Sequence, residues 1–111
     1  MTDACTVYVT TESEAEALMI ARAVVGERLA ACANILPSIT AVYHWDGKVN
    51  EGGEAALLLK TRRALYDRLE ARIRELHSYD NPCIVLWPID AGSRDYLNWI
   101  DAETGAPGAT A

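Results

Sequence analysis

The chain has 111 residues, half of them hydrophobic, and a formal net charge of -6, which suits one domain able to bury a core without disulfide or metal staples. That acidic balance argues against a nucleic-acid partner, which needs Lys and Arg clustered on one face. No apolar run reaches the ~18 to 20 residues that span a bilayer, so no membrane partner is expected either.

Three cysteines, Cys5, Cys32 and Cys83, occur without a C-x-x-C pair. They imply neither a disulfide framework nor a zinc ribbon and read as free thiols. The N-terminus MTDACTVYV lacks a basic region and a small-residue cleavage site, so the expected compartment is the cytosol.

Residues 4 to 10, ACTVYVT, are β-branched and aromatic and predict a first strand. Ser13-x-x-Glu16 then fits a capping box, in which hydroxyl and carboxylate each satisfy a free backbone N–H. The helix it opens carries Ala17, Leu18, Ala21, Val24, Val25, Leu29 and Cys32 on one face, which places Cys32 in the packing. From Asn34 to Trp45 the chain reads as extended, with a bend at Pro37-Ser38, because proline removes a ladder donor.

Asp46-Gly47 lies between two extendable runs, the strongest short signal for a hairpin. The returning strand carries Gly52-Gly53, which suggests a bulge or a strongly bent ribbon, and then Ala55 to Leu59, apolar on both parities. Thr61 is placed to cap a second helix, with Leu65, Leu69, Ile73 and Leu76 as its apolar stripe. Asn81-Pro82 prevents its continuation past His77. Residues 83 to 89, CIVLWPI, are again apolar on both parities, and Ser93 opens a short amphipathic helix with Tyr96, Leu97 and Ile100 on one side. The sequence divides into one domain over residues 1 to 103 and a small, Pro/Gly-bearing tail over 104 to 111, expected to fray.

The order strand, helix, strand, strand, helix, strand predicts an α+β fold of the ferredoxin-like βαββαβ kind: an antiparallel sheet, a long hairpin between the second and third strands, and a short C-terminal helix. Two helices cover only one sheet face, yet the third and fourth strands are apolar on both. Other copies of the chain are therefore expected to cover the second face, with closed rotational symmetry. Trp45, beside the turn, is the aromatic best placed to reach a neighbour.

The runs VYVTT (7 to 11), ERLAACANILPSITAVYHWDGKV (27 to 49), Glu54 followed by LLLKTRR (to 63), ELHSYDNP (75 to 82) and YLNWI (96 to 100) together resemble the CutA family of divalent-cation tolerance proteins. The resemblance covers about residues 5 to 101. It implies a ferredoxin-like subunit in a compact homotrimer whose hairpin joins neighbouring sheets, an architecture shared with PII-type signalling proteins. It also implies a link to copper or other divalent metal ions and no established enzymatic activity. Tyr43, Trp45 and Gly47 match the family's hairpin, Lys60 and Thr61 its KT pair, and His77, Tyr79 and Pro82 its His-x-Tyr-x-x-Pro turn; Tyr96 and Trp99 match its C-terminal segment. The chain departs from the family in having Cys83 where a glutamate is common, Ser78 where proline often follows the histidine, Thr10 where some members have cysteine, and Leu76 where some have a second histidine.

His77, Cys83 and Asp80 are the candidate metal ligands, since imidazole and thiolate suit copper and zinc and Asp80 adds an oxygen. A histidine at a helix C-terminus also serves as a structural cap, and the two readings stand side by side. Glu54 and Lys60 share parity but lie about 20 Å apart at ~3.3 Å per residue, so each needs another partner. Lys60 either neutralises a carboxylate across the trimer or, with Tyr79, Glu54 and His77, lines an inter-subunit cleft for a small anionic ligand in a PII-like sensor. Tyr43, Trp45 and Leu58 are the expected trimer contacts. A structural or interaction trimer that binds metal only incidentally is the remaining reading, and Cys5 is expected to be structural unless its thiol is exposed. No Gly-rich phosphate loop or triad spacing is present, and an enzyme is not expected.

Overall fold

Strand β1 (Ala4–Thr11), helix α1 (Glu14–Gly26), strands β2 (Cys32–Trp45) and β3 (Lys48–Arg62), helix α2 (Tyr66–Leu76), strand β4 (Ile84–Pro88) and helix α3 (Arg94–Glu103) follow one another in a computed structural model that describes residues 2–105. The sheet order is β2-β3-β1-β4, with every neighbouring pair antiparallel. This is the ferredoxin-like split βαβ arrangement.

Both long helices pack on one face. Val7 and Val9 of β1, Leu57 and Leu59 of β3, Ile20 and Val24 of α1, and Leu69 and Ile73 of α2 are fully buried together. Alternation along the strands sends Tyr8, Ala56, Leu58, Lys60, Val85 and Trp87 to the opposite face, since cross-strand partners share a side. Helices α1 and α2 do not reach that face; α3 packs only on its Ala4–Cys32 end, with Ile100 against Ala4, and Val85 and Trp87 remain 42% and 48% exposed there.

The register shift between Leu36 and Ile39 marks a bulge at Pro37-Ser38, where the missing proline donor breaks the ladder. Gly52 and Gly53 instead pair regularly with Ala41 and Thr40, so the second bulge expected there is absent. The extra residue also inverts the parity of β2. Tyr43 and Trp45 therefore lie on the side of Leu36 and Leu58, although odd and even numbers separate them. The turn itself matches expectation: Asp46 and Gly47 both have positive φ, 53° and 73°, as a type I′ hairpin requires.

Three boundaries differ from the sequence-based expectation. Helix α1 ends at Gly26, and Arg28 turns the chain with φ 60°, so Cys32 opens β2 rather than riding on the helix. Thr61 is held in the sheet by its pairing with Cys5 and donates its hydroxyl to the Leu29 carbonyl at 2.7 Å. It caps nothing; a 3-10 turn at Arg63–Leu65 leads into α2 instead. Thr104, assigned to the tail, is buried and accepts a hydrogen bond from Arg62 Nε at 3.0 Å. Residues 106 to 111 of the expected tail lie outside the described residues.

Candidate functional site

Helix α2 stops because His77 leaves the helical region, φ -81° and ψ 141°, while its N–H still bonds Ile73 O at 2.9 Å. Its side chain then crosses to β1. Nε2 lies 2.7 Å from the Thr10 carbonyl, to which it donates, and Nδ1 accepts the Tyr79 N–H at 3.1 Å. This pattern fixes the neutral tautomer with the proton on Nε2. Coordination of a metal by His77 would require one of these bonds to break.

Glu16 fastens the same turn from α1. Ser13 Oγ accepts the Glu16 N–H at 3.1 Å, and Glu16 Oε1 accepts the Glu12 N–H at 3.0 Å. The capping box is therefore shifted by one residue at its carboxylate end. Oε2 meanwhile accepts the Ser78 N–H at 2.8 Å. Burial pushes the Glu16 carboxyl up, but the hydrogen bonds from Ser78 and Glu12 outweigh it and hold the group below its usual range.

The turn so fixed points Tyr79 at the hairpin. Its hydroxyl donates to Glu54 Oε2 at 2.8 Å, and burial, this bond and the surrounding acids push the phenol well above its ordinary pKa. A cleft of about 500 Å³ opens here, lined by Tyr43, Trp45, Tyr79, Glu54, Asp80 and the exposed Cys83. Among the described residues no lysine, arginine or histidine lines it. It is an acidic, aromatic cleft on the sheet face opposite α1 and α2.

Glu54, Tyr79, Asp80 and Cys83, all anticipated from sequence, thus come together. Lys60 does not join them. It stands opposite Thr6 whereas His77 reaches Thr10, four residues or about 13 Å along the sheet. Its Nζ donates to Asn34 Oδ1 at 3.0 Å, and within one chain it does not stand beside the His77 turn; the carboxylate expected for it is one of a neighbouring copy. An anion-binding cleft lined by Lys60, His77 and Tyr79 is accordingly not formed by one chain.

Among the described residues no group of three His, Cys, Asp or Glu side chains is close enough to hold one ion. Of the other thiols, Cys5 is fully buried, with burial pushing it up to about 11, and so is the inert group expected. Cys32 is half-buried with Sγ 3.3 Å from Tyr96 Oη, a contact that with burial pushes the Tyr96 phenol up to about 12. The clamp by Glu16 and Ser78 was not foreseen. Its only trace in the sequence is the capping signature, which gives no sign of a contact 62 positions away.

The fold is thus a ferredoxin-like α+β domain with an acidic, aromatic cleft on one face of its antiparallel sheet. The family model described as CutA1 divalent ion tolerance protein matches residues 5–103, and the chain belongs to that family. It is 46% identical over 99 residues to the divalent-cation tolerance protein CutA of Thermus thermophilus, covering 89% of this chain and 96% of that one. It is 40% identical over 98 residues to the chloroplastic protein CutA 1 of Oryza sativa, covering 88% of this chain but only 55% of that protein. The chain thus spans about half the length of the plant relative. The solved structure of the periplasmic divalent cation tolerance protein CutA from Archaeoglobus fulgidus superimposes with a TM-score of 0.88 at 35% identity, covering 91% of this chain and 98% of that one.

Proposed function

We propose that this protein acts in divalent-cation tolerance as a homotrimer that binds copper or another divalent ion weakly at the 77–83 turn, through the Cys83 thiolate and the Asp80 carboxylate. The carrying observation is an exposed thiol and a carboxylate opening on one acidic cleft. Thiolate favours copper and zinc, and the acidic lining attracts cations without discriminating among them. Two ligands from one chain fall short of a closed four-ligand site, so water or a neighbouring subunit completes the shell and the ion exchanges readily. His77 is the positioning residue that ties the turn to β1. The role is binding rather than catalysis, and the free thiols support a reducing cytosolic setting.

Calorimetric titration of copper and zinc tests the site. A Cys83→Ser, Asp80→Asn double variant, which removes both proposed ligands, is expected to bind at least ~10-fold more weakly. His77→Ala is expected to lower stability by about 1 to 2 kcal/mol, through its two lost hydrogen bonds, and to leave a metal site at Cys83 detectable. Unchanged affinity and stoichiometry in the double variant would overturn the assignment.

A further inference from the structure

We propose that helix α3 is a strap that swings off the sheet as a unit while the rest of the fold stays closed, and that its release uncovers the Cys32 thiol. The helix has a small core of its own. Ala4, Ala31 and Ile100 are buried there with Ile89, Leu97 and Trp99 packed around them, apart from the main core that joins α1 and α2 to the sheet. Within α3 itself only Ile100 is buried, so detaching the helix exposes little apolar surface.

Polar anchors gather at one end of the helix. Arg28 Nη1 donates to the Glu103 carbonyl at 3.1 Å and to Glu103 Oε2 at 2.9 Å. Arg62 donates from Nε to Thr104 Oγ1 and from Nη2 to Thr104 O, both at 3.0 Å. Both arginines thus meet the C-terminus of α3, where cations suit the helix dipole. The opposite end is held loosely. Ser93 gives it no side-chain cap, and a cavity of about 500 Å³, lined in part by Thr2, Arg94, Leu97, Asn98 and Asp101, runs along the helix. Among the described residues the one polar contact from this half to the sheet is Tyr96 Oη to Cys32 Sγ at 3.3 Å. Closure also carries a penalty. Asp101 Oδ1 is buried with no hydrogen-bond partner among the described residues, and an acceptor left unpaired opposes the state that buries it. Opening returns that oxygen to water, so two arginine clamps act against one orphaned carboxylate oxygen, the balance expected of a unit that opens locally.

Cys32 stands opposite Lys60, at the end of the sheet away from Tyr43 and Trp45, so the strap moves without parting the hairpin contacts proposed for the trimer. The inference is also independent of the metal reading. Amide exchange by NMR and labelling of Cys32 by an aromatic disulfide reagent test it on the assembled full chain. A Cys83→Ser background lets Cys32 report alone, since Cys5 is fully buried. The amides of Leu97 to Asp101 are expected to exchange together, at least ~100-fold faster than those of Val7 and Leu59, with Cys32 labelled in step. Arg62→Ala is expected to speed both readouts about 10-fold through its lost hydrogen bonds and to leave the Val7 and Leu59 amides unchanged. Should that variant not fold, Arg28→Ala carries the same test, because its side chain is 66% exposed and its loss spares the core. Asp101→Ala is expected to slow both readouts about 10-fold relative to Asn98→Ala, an exposed position of the same helix that gives the gain in helix propensity alone. Exchange of the α3 amides at the rate of the core strands would overturn the proposal. So would Cys32 labelling that stays constant while the α3 amides speed up, or clamp variants that leave both readouts unchanged.

Discussion

Glu16 joins two parts of the chain that are far apart in sequence, since one carboxylate closes the start of α1 and holds the Ser78 N–H of the turn before β4. Its folded-state pKa is depressed, so its contribution is present above the unfolded value, ~4.3, and is lost as pH falls through the lower folded value. Glu16→Gln is therefore expected to cost about 1 kcal/mol at neutral pH, a figure reduced for partial exposure, and less as pH falls below ~4. Urea unfolding at a series of pH values checks this. A parallel offset between wild type and variant at every pH would show that the carboxylate charge is not involved.

The hairpin is the element on which the cleft and the bare face depend. Strand β2 has 14 residues, about 46 Å at ~3.3 Å each, whereas β1 ends opposite Ala55. Residues 48 to 54 consequently pair only with β2 and overhang the body, which accounts for a longest dimension of 49 Å. Val42 and Val49 on this overhang are 61% and 66% exposed. At the tip, Gly47 has φ +73° with open space around the position a Cβ would take. Gly47→Ala should thus cost only the backbone strain, about 1 kcal/mol, read as a lowered denaturant midpoint at unchanged slope. Nearer the body, Thr61→Val removes the buried donor to Leu29 O and is expected to cost about 1 to 3 kcal/mol.

For the whole molecule, the question is what covers the second sheet face. Leu36, Tyr43, Trp45, Val85 and Trp87 are all 42% exposed or more, and Trp87 stacks on Tyr8 with centroids 5.0 Å apart. Exposed apolar side chains on one sheet face are costly to leave in water. The proposed trimer buries it, with Tyr43, Trp45 and Leu58 as contacts. Light scattering at micromolar concentration should give three times the chain mass of 12.1 kDa. Leu58→Asp, which places a charge on the face without touching the helix-side core, is expected to reduce that mass toward one chain. A monomeric wild type would remove this account of the face.

Local signals were enough to give the order of the elements, the bend at Pro37, the Asp46-Gly47 turn and the two-sided strands, because proline, positive φ and side-chain alternation act within a few residues. Glu54, Asp80 and Cys83, singled out from the residues, and Tyr79, from the family resemblance, lie around one cleft. What needed the tertiary structure were the pairings that close over long separations. The β1–β3 ladder runs to Arg62 and keeps Thr61 in the sheet, and the single extra residue at Pro37-Ser38 turns Tyr43 and Trp45 to the side of Leu58. The four-residue offset between Lys60 and the His77 turn takes the lysine out of the cleft and leaves that cleft acidic. Sequence spacing carries no information on register across such distances, and register decides which charges meet.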